Sequence, residues 1–216
     1  RKKELEDSRI DSSKLLVDTI NNSETSVKHF IQASAMGYYG DSGDTILTEE
    51  SLVGDDYMAK LCSDWEAASE HLNKKVNRTV MRIGLYLHKD GGVYSTLSKV
   101  SKFYLASAFG DGKMWANYTH KDELNDFVLS IAESKTPNGT YNVVGRSAFQ
   151  MDAFISAIAK SQNRKVILPR IPAFLLKLAL GEASAILLNS YRITSPKMKN
   201  QGLHKFDNLE SALQAL

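Results

Sequence analysis

A single cysteine, Cys62, stands in 216 residues. One thiol closes no intrachain disulfide and builds no cysteine-rich metal centre. Such sparing use fits a reducing compartment, and a cytoplasmic location is the expectation. The five histidines, His29, His71, His88, His120 and His204, fall at no ligand spacing, so no metal site is expected. Long apolar runs are also missing. The longest, Ile171 to Leu180, is interrupted by Lys177 and followed by Gly181-Glu182, whereas a bilayer span needs about 20 apolar residues. No membrane partner is therefore expected. Charge of one sign is scarce: 27 Lys and Arg against 25 Asp and Glu leave +2. The densest basic runs, Arg1 to Lys3 and Lys197 to Lys199, are too short for a nucleic-acid patch and read as solvated surface. Neither a P-loop nor a Gly-x-Ser-x-Gly elbow occurs. The chain opens on Arg1 rather than Met, as expected of a fragment, a processed product or a chain whose start is missing.

What is present is ordinary for a globular protein, 43% apolar and 24% charged, and long enough for a sizeable core. Lys2 to Ile20 reads as a helix with an irregular apolar face. Val27 to Ala35 reads as a buried strand and Gly37 to Asp44 as a loop. Met58, Leu61, Cys62, Trp65, Ala68 and Leu72 share one face of a helix, which makes Cys62 a buried structural thiol. Thr79 to Leu87 is a second strand, closed by a turn at Asp90-Gly91-Gly92. A helix is expected from Val93 to Phe109, and a short extended piece from Trp115 to Thr119. Helical stripes follow over Leu124 to Ala132 and Met151 to Ala159. Between them lies a third strand, Tyr141 to Val144. Val166 to Leu168 reads as a short strand, and Pro169 and Pro172 bracket a helix running to about Asn189. Asp207 and Glu210 form a capping-box pattern. Strands alternating with helices predict an α/β parallel sheet. Only the first two strands are secure, so part of the sheet is expected to be missing.

Four stretches carry a family resemblance. The first is Ser34-Ala35-Met36-Gly37-Tyr38-Tyr39-Gly40, with Asp41, Gly43, Asp44 and Thr48-Glu49-Glu50 after it. The second is Asp56 to Cys62 with Asp64-Trp65-Glu66-Ala67-Ala68, and the third is Met81 to Leu87 followed by Gly91-Gly92. The fourth is Gly110-Asp111-Gly112-Lys113 leading to Tyr118 through Leu124. In order and spacing they resemble the atypical extended short-chain dehydrogenases/reductases of the NAD-dependent epimerase or cell-division-inhibitor-like family. Pro169-Arg170-Ile171-Pro172, Leu180-Gly181-Glu182, Arg192-Ile193, Pro196 and Asn208 to Leu213 resemble that family's C-terminal domain of unknown function. The resemblance implies a Rossmann-like parallel sheet, of which residues 1–110 hold the remainder. A smaller α+β substrate-side domain, 111–216, is interleaved with it. It also implies NAD or NADP in the full-length parent, held at a Gly-x-x-Gly-x-x-Gly turn that lets the backbone approach the pyrophosphate. That motif does not occur here. Gly91-Gly92 follows the wrong strand and Gly110-x-Gly112 follows a helix, so the chain is expected to start after the family's fourth strand and to bind a dinucleotide poorly alone.

Active members use a Tyr and a Lys four residues later for proton transfer, with a Ser orienting the substrate hydroxyl. Two registers are open here. Tyr57 has Leu61 at that distance and Lys60 one residue short of it. Aligning on Glu66 instead puts Met58 and Cys62 at the dyad positions. Counting back from Tyr39-Gly40 places Ala35 at the serine position, with Ser34 before it. The catalytic candidates implied are Ser34, Tyr38 and Tyr57. Ser34 faces the nicotinamide pocket in one reading and is a strand-end hydroxyl satisfied by backbone in the other. Ala35, Met36, Gly37, Arg82 and Gly84 are candidates for contact with the dinucleotide, and Tyr39, Trp115 and His120 for the substrate. Arg82, lying mid-strand, needs a partner if buried; otherwise it marks a strand end or meets a substrate phosphate. His120 is either a nucleotide contact or a cap for the helix beginning near Lys121, and Asp122 is expected to act near that helix start.

Three functions stay open. One is an NAD(P)-dependent epimerase or oxidoreductase acting on a nucleotide sugar or similar small substrate. Another is a catalytically silent dinucleotide-binding scaffold associated with cell division. The third is an interaction module whose apolar helix from Pro172 to Leu188 covers a partner or a second copy; in the other reading that helix packs on its own domain. A homodimer or a missing N-terminal segment is the protein partner expected. The superfold hosts many activities and does not choose among them.

Overall fold

The computed structural model of the protein describes residues 2–24 and 26–216 and, for Leu180, Glu182, Ala183 and Ile186, the backbone alone. Arg1, first of the N-terminal basic run, lies outside the described residues. Helix α1 (Lys2–Asn22) leads into strand β1 (His29–Ala35), whose end winds into a 3-10 turn over Met36–Tyr39, a region expected to be loop. After β2 (Ile46–Leu47) come α2 (Tyr57–Ala67), β3 (Asn77–Ile83), β4 (Leu85–His88) and α3 (Gly92–Lys102). Next follow β5 (Trp115–Ala116), β6 (Tyr118–His120), α4 (Lys121–Ala132), β7 (Gly139–Val143), β8 (Phe149–Gln150) and α5 (Met151–Ser161). The chain closes with α6 (Ala173–Leu180), α7 (Ala185–Leu188), β9 (Arg192–Ile193), α8 (Pro196–Asn200) and α9 (Leu209–Gln214).

Strands β1, β3 and β7 form a parallel sheet in that order. Successive side chains of a strand point to opposite faces, and the two faces of this sheet differ sharply. Ile31, Met81, Ile83, Tyr141 and Val143 line one face and pack with Phe127 and Ile131 of α4 and Met198 of α8. The register places Ser34 beside Arg82 and Arg82 beside Asn142. The other face therefore carries a polar row across all three strands near their carboxyl ends, and α2 covers it. A separate apolar core joins Leu87, Tyr118, Phe154, Ile155 and Ile158 with Leu209 and Leu213 of α9.

Several sequence expectations are corrected here. The strand read from Thr79 to Leu87 is two strands in two sheets: β3 stays with β1 and β7, and β4 pairs with β6. Gly84 is the hinge, where a Cβ would stand 2.6 Å from the Asn117 carbonyl oxygen. Val166 to Leu168 forms no strand. The helix expected through Asn189 breaks at Gly181, whose φ of 56° suits glycine. The final helix is capped by Asn208 and Ser211, not by Asp207 and Glu210. The helix expected from Val93 to Phe109 stops at Lys102, ahead of Tyr104 at φ 60°.

Gly84→Ala should cost about 1–3 kcal/mol, the usual range for overpacking a tight site. Urea denaturation of the variant against the parent measures it, and unchanged stability would mean that the β3–β4 corner yields.

Candidate functional site

A guanidinium on a central strand calls for an anion, and α2 brings one. Glu66 receives Arg82 in a two-pronged contact, with Nε on Oε1 and Nη2 on Oε2, both at 2.9 Å. Ser34 Oγ donates to the same Oε1 at 2.6 Å. The remaining Arg82 prong, Nη1, donates to the Tyr39 hydroxyl at 2.9 Å, and that hydroxyl donates to Asn142 Oδ1 at 2.6 Å. The Tyr38 ring lies 3.4 Å from the guanidinium carbon, a cation–π contact on the plane left open. Burial works against the Arg82 charge, but the hydrogen bonds and fields of Glu66 and Tyr39 outweigh it and raise its pKa above the ordinary value. Burial also pushes the Tyr39 phenol up, against the pull of Arg82. Glu49 extends the network, accepting from the Asn142 amide at 3.2 Å and from Ser195 Oγ at 2.7 Å.

Beyond β1, a cleft of about 1110 Å³ opens. Asp41, Asp56, Tyr57 and Met58 form one wall, and Met114, Ala173, Lys177 and Leu188 stand among the residues opposite. Asp56 caps α2 by accepting from the Ala59 amide at 2.8 Å, and its other oxygen accepts from Asn189 Nδ2 at 2.6 Å. One carboxylate thus ties the helix start to the C-terminal wall. Lys2 places its ammonium 4.4 Å from the Tyr57 ring centroid at the same cleft.

The two registers left open for the proton-transfer dyad have different surroundings. Lys60 is on the solvent side, 75% exposed, and pairs with Asp64 at 2.8 Å. Met58 and Cys62 face the strand end: a Cβ on Gly37 would lie 3.5 Å from Met58 Cβ and 3.7 Å from Cys62 Sγ. Burial, with the charge of Glu66 added, pushes the Cys62 thiol up to about 11, and the Ala35 backbone hydrogen-bonds it. Met58 and Cys62, the pair of the second register, are therefore the ones packed against the strand end.

The structure gathers Ser34, Tyr38, Tyr39 and Arg82 into the buried network; none of the four lines the cleft. The Ser34 hydroxyl is satisfied by a side chain, Glu66, rather than by backbone. Ala35 ends β1 and Met36 and Gly37 open the 3-10 turn; none of them lines the cleft, and Gly37 stands against Met58, which does. Tyr57 is in the cleft wall. Gly84 is at the strand corner, its amide donating to Thr119 Oγ1 at 2.8 Å. Trp115 is half-buried, donating to Asp44 at 2.6 Å with Arg192 over its ring. His120 is fully buried and caps α4, Nδ1 accepting from the Asp122 amide at 3.1 Å. Burial lowers its pKa, although Asp122 pulls the other way, so the neutral ring serves as acceptor. Asp122, in the first turn of α4, pairs with Lys121 at 2.9 Å. The pairing of Glu66 with Arg82, the part of Asn142 and the Asp56–Asn189 link are not legible in the sequence, where Glu66 is only a landmark of register; a mid-strand arginine is the signal that an anion is needed once it is buried.

No protein-family model matches the chain. An Arabidopsis thaliana protein named epimerase family protein SDR39U1 homolog, chloroplastic, is 29% identical over 218 residues, covering 100% of this chain and 62% of its own length. An epimerase family protein of Mycobacterium leprae is 31% identical over 183 residues, covering 84% of this chain and 58% of itself. The chain thus spans about three fifths of the length of these relatives. Among solved structures, human epimerase family protein SDR39U1 (isoform 2), crystallised with NADPH, superposes with a TM-score of 0.91 at 22% identity, over 99% of this chain and 73% of that one. At that identity the likeness is one of fold: α/β, Rossmann-like.

Glu66→Gln should destabilise the protein by about 3–5 kcal/mol, because it leaves Arg82 buried without an anion, whereas replacing both partners by leucine should cost less than either single change. Urea denaturation of the three variants tests this, and a loss below about 1 kcal/mol for Glu66→Gln would show the pair to be solvated. The raised Cys62 pKa makes a separate prediction. Its contribution to stability is complete below the ordinary value of 9.0 and is lost as pH rises through about 11. Iodoacetamide at neutral pH should therefore label Cys62 only as fast as the protein opens, and labelling as rapid as in denaturant would contradict the burial.

Proposed function

Because the chain belongs with the epimerase-family proteins of the atypical short-chain dehydrogenase/reductase type, we propose that it forms the substrate side of an NAD(P)-dependent, epimerase-like protein. The cleft over α2 would receive the nicotinamide end of the dinucleotide and a small substrate, of which a nucleotide sugar is one candidate. The observation that carries this reading is the place of the cleft. It opens at the first turn of α2, lined by Tyr57 and Met58, and Met58 stands against Gly37 just past the carboxyl end of β1, where open α/β sheets bind ligands; about 1110 Å³ suffices for both groups.

The residues present fit that end of the cofactor. Ala35, Met36 and Gly37 bring uncharged backbone to the site, and Gly37 leaves open the space beside Met58. Pyrophosphate would need a glycine-rich turn that these residues do not contain, so binding by this chain alone should be weak. When bound, the dinucleotide would supply or accept a hydride. Tyr57, in the cleft wall, is the phenol we assign to proton donation. Ser34, Tyr38, Tyr39 and Arg82 act at one remove, holding the strand end and the first turns of α2 in place through Glu66.

One observation favours the silent scaffold as a second reading. Ala35 and Met58 carry no ionisable proton, and Cys62 holds its own up to about pH 11. Calorimetric titration of NADPH and NADH into this chain and into a longer, N-terminally extended version separates the readings. The longer protein should bind and the shorter bind far less, and Met58→Trp should weaken binding about tenfold or more by filling the cleft. In a turnover assay Tyr57→Phe should lose about 10²–10⁴-fold if Tyr57 is the donor. Binding with no turnover in any version selects the scaffold, and no binding by the longer protein reduces the family likeness to one of fold.

A further inference from the structure

Helix α6, with the sequence AFLLKLAL, has Lys177 as its single polar side chain. A helix that is apolar nearly all round normally lies in a core. Here Phe174 is 67% and Leu178 83% exposed. The chain entering α6 runs beside the segment after α3. Ser107 Oγ donates to the Pro169 carbonyl at 2.6 Å, the Ile171 amide to that of Ala108 at 2.9 Å and the Gly110 amide to that of Ile171 at 2.9 Å. Arg164 adds a tie, lying 5.2 Å over the Tyr104 ring and donating to the Lys102 carbonyl at 3.3 Å. The paired segments run parallel at Phe109 and Ile171, and just before the pairing each exposes apolar side chains, Phe103 at 74% and Leu105 at 59% on one, Ile167 at 65% on the other. Scattered apolar side chains are ordinary on a surface, but a connected strip of this kind marks an interaction site.

The charge of the strip is one-sided. No Asp or Glu occurs between residues 91 and 110, or between 153 and 181. Lys99, Lys102, Lys165, Arg170 and Lys177 stand exposed in those stretches, while Lys160 shares a small cleft with Glu210. Asp152 pairs with Arg170, and Asp111 lies close enough to add to its field. The sequence as a whole is nearly balanced, at +2, so this is a local segregation of charge around an apolar band.

We propose that the strip docks the protein onto an anionic phospholipid surface. The apolar side chains enter the boundary between headgroups and acyl chains, and the cations meet the headgroup phosphates. A second copy of the chain fits poorly, because a two-fold contact would set the same cations against one another. Among the described residues no helix is long and apolar enough to cross a membrane, so the attachment is peripheral. The expectation of no membrane partner rested on the missing spanning segment and does not bear on surface binding. Ala173 and Lys177 belong both to α6 and to the cleft wall, so docking holds the cleft mouth against the lipid.

Flotation with vesicles of phosphatidylcholine, with and without about 30 mol% phosphatidylserine, tests the proposal. The chain should float with the anionic vesicles. Partitioning should fall about tenfold or more at about 1 M salt, where the Debye length is ~3 Å. It should fall as far in a Phe174→Glu/Leu178→Glu variant, whose exposed positions leave the thermal unfolding curve unchanged. A Lys102→Glu/Lys165→Glu variant should lose the salt-sensitive part. Failure of the parent to float with anionic vesicles overturns the proposal, as does equal flotation of the variants. A dimer in sedimentation that Phe174→Glu/Leu178→Glu abolishes, without vesicle binding, assigns the strip to self-association. Saturable binding of polyglutamate without vesicle binding assigns it to an acidic protein.

Discussion

Arg82 lies at 5% exposure in the middle strand of a parallel sheet, and that guanidinium must be neutralised within the fold. Taking a charge out of water costs several kcal/mol unless an opposite charge and full hydrogen bonding meet it. Glu66 supplies the charge, Tyr39 takes the third prong, and the Tyr38 ring takes the open plane. The partners come from separate elements: α2, the last two residues of the 3-10 turn and, through Asn142, strand β7. Satisfying Arg82 therefore fixes the angle at which α2 crosses the sheet and the path of the chain as it leaves β1. Gln32 and Arg78 reinforce the same contact by donating to the Trp65 and Glu66 carbonyls near the end of α2.

The cleft follows from that arrangement. With α2 held at Glu66, its capped first turn projects past the carboxyl end of β1, and Asp56 carries the link across to Asn189. The site thus has a rigid floor and a wall set by a hydrogen bond between distant parts of the chain. Its chemistry is unusual for such a scaffold. The positions beside the strand end carry Ala35, Met58 and Cys62, and the nearby ionisable groups serve the scaffold instead. Tyr57, at the start of α2, stands in the cleft wall, and the proposed proton donation rests on that place.

Much of this order was legible in residue patterns. Alternation of strands and helices pointed to an α/β parallel sheet, and Met58, Leu61, Cys62 and Trp65 marked the helix that covers it. The short strand at Tyr141 formed as expected, and Cys62 was read as buried from its place on the apolar face. Boundaries failed where one atom's clearance decided them. Gly84 splits a continuous apolar run because a neighbouring carbonyl leaves no room for a side chain. In α6, apolar content left open whether the helix packs on its own domain or faces outward, and Phe174 and Leu178 are exposed.

Local pattern thus determined the periods of the elements, the family likeness and the need for an anion near Arg82, because each depends on residue types at short spacing. Tertiary structure alone decided which carboxylate answers Arg82, which register of α2 faces the strand end, and that His120 caps a helix inside the protein. Those outcomes depend on sheet register and helix crossing, which bring together residues as far apart as Tyr39 and Asn142. Spacing along the chain cannot encode which of several polar side chains shares a face once the strands have paired.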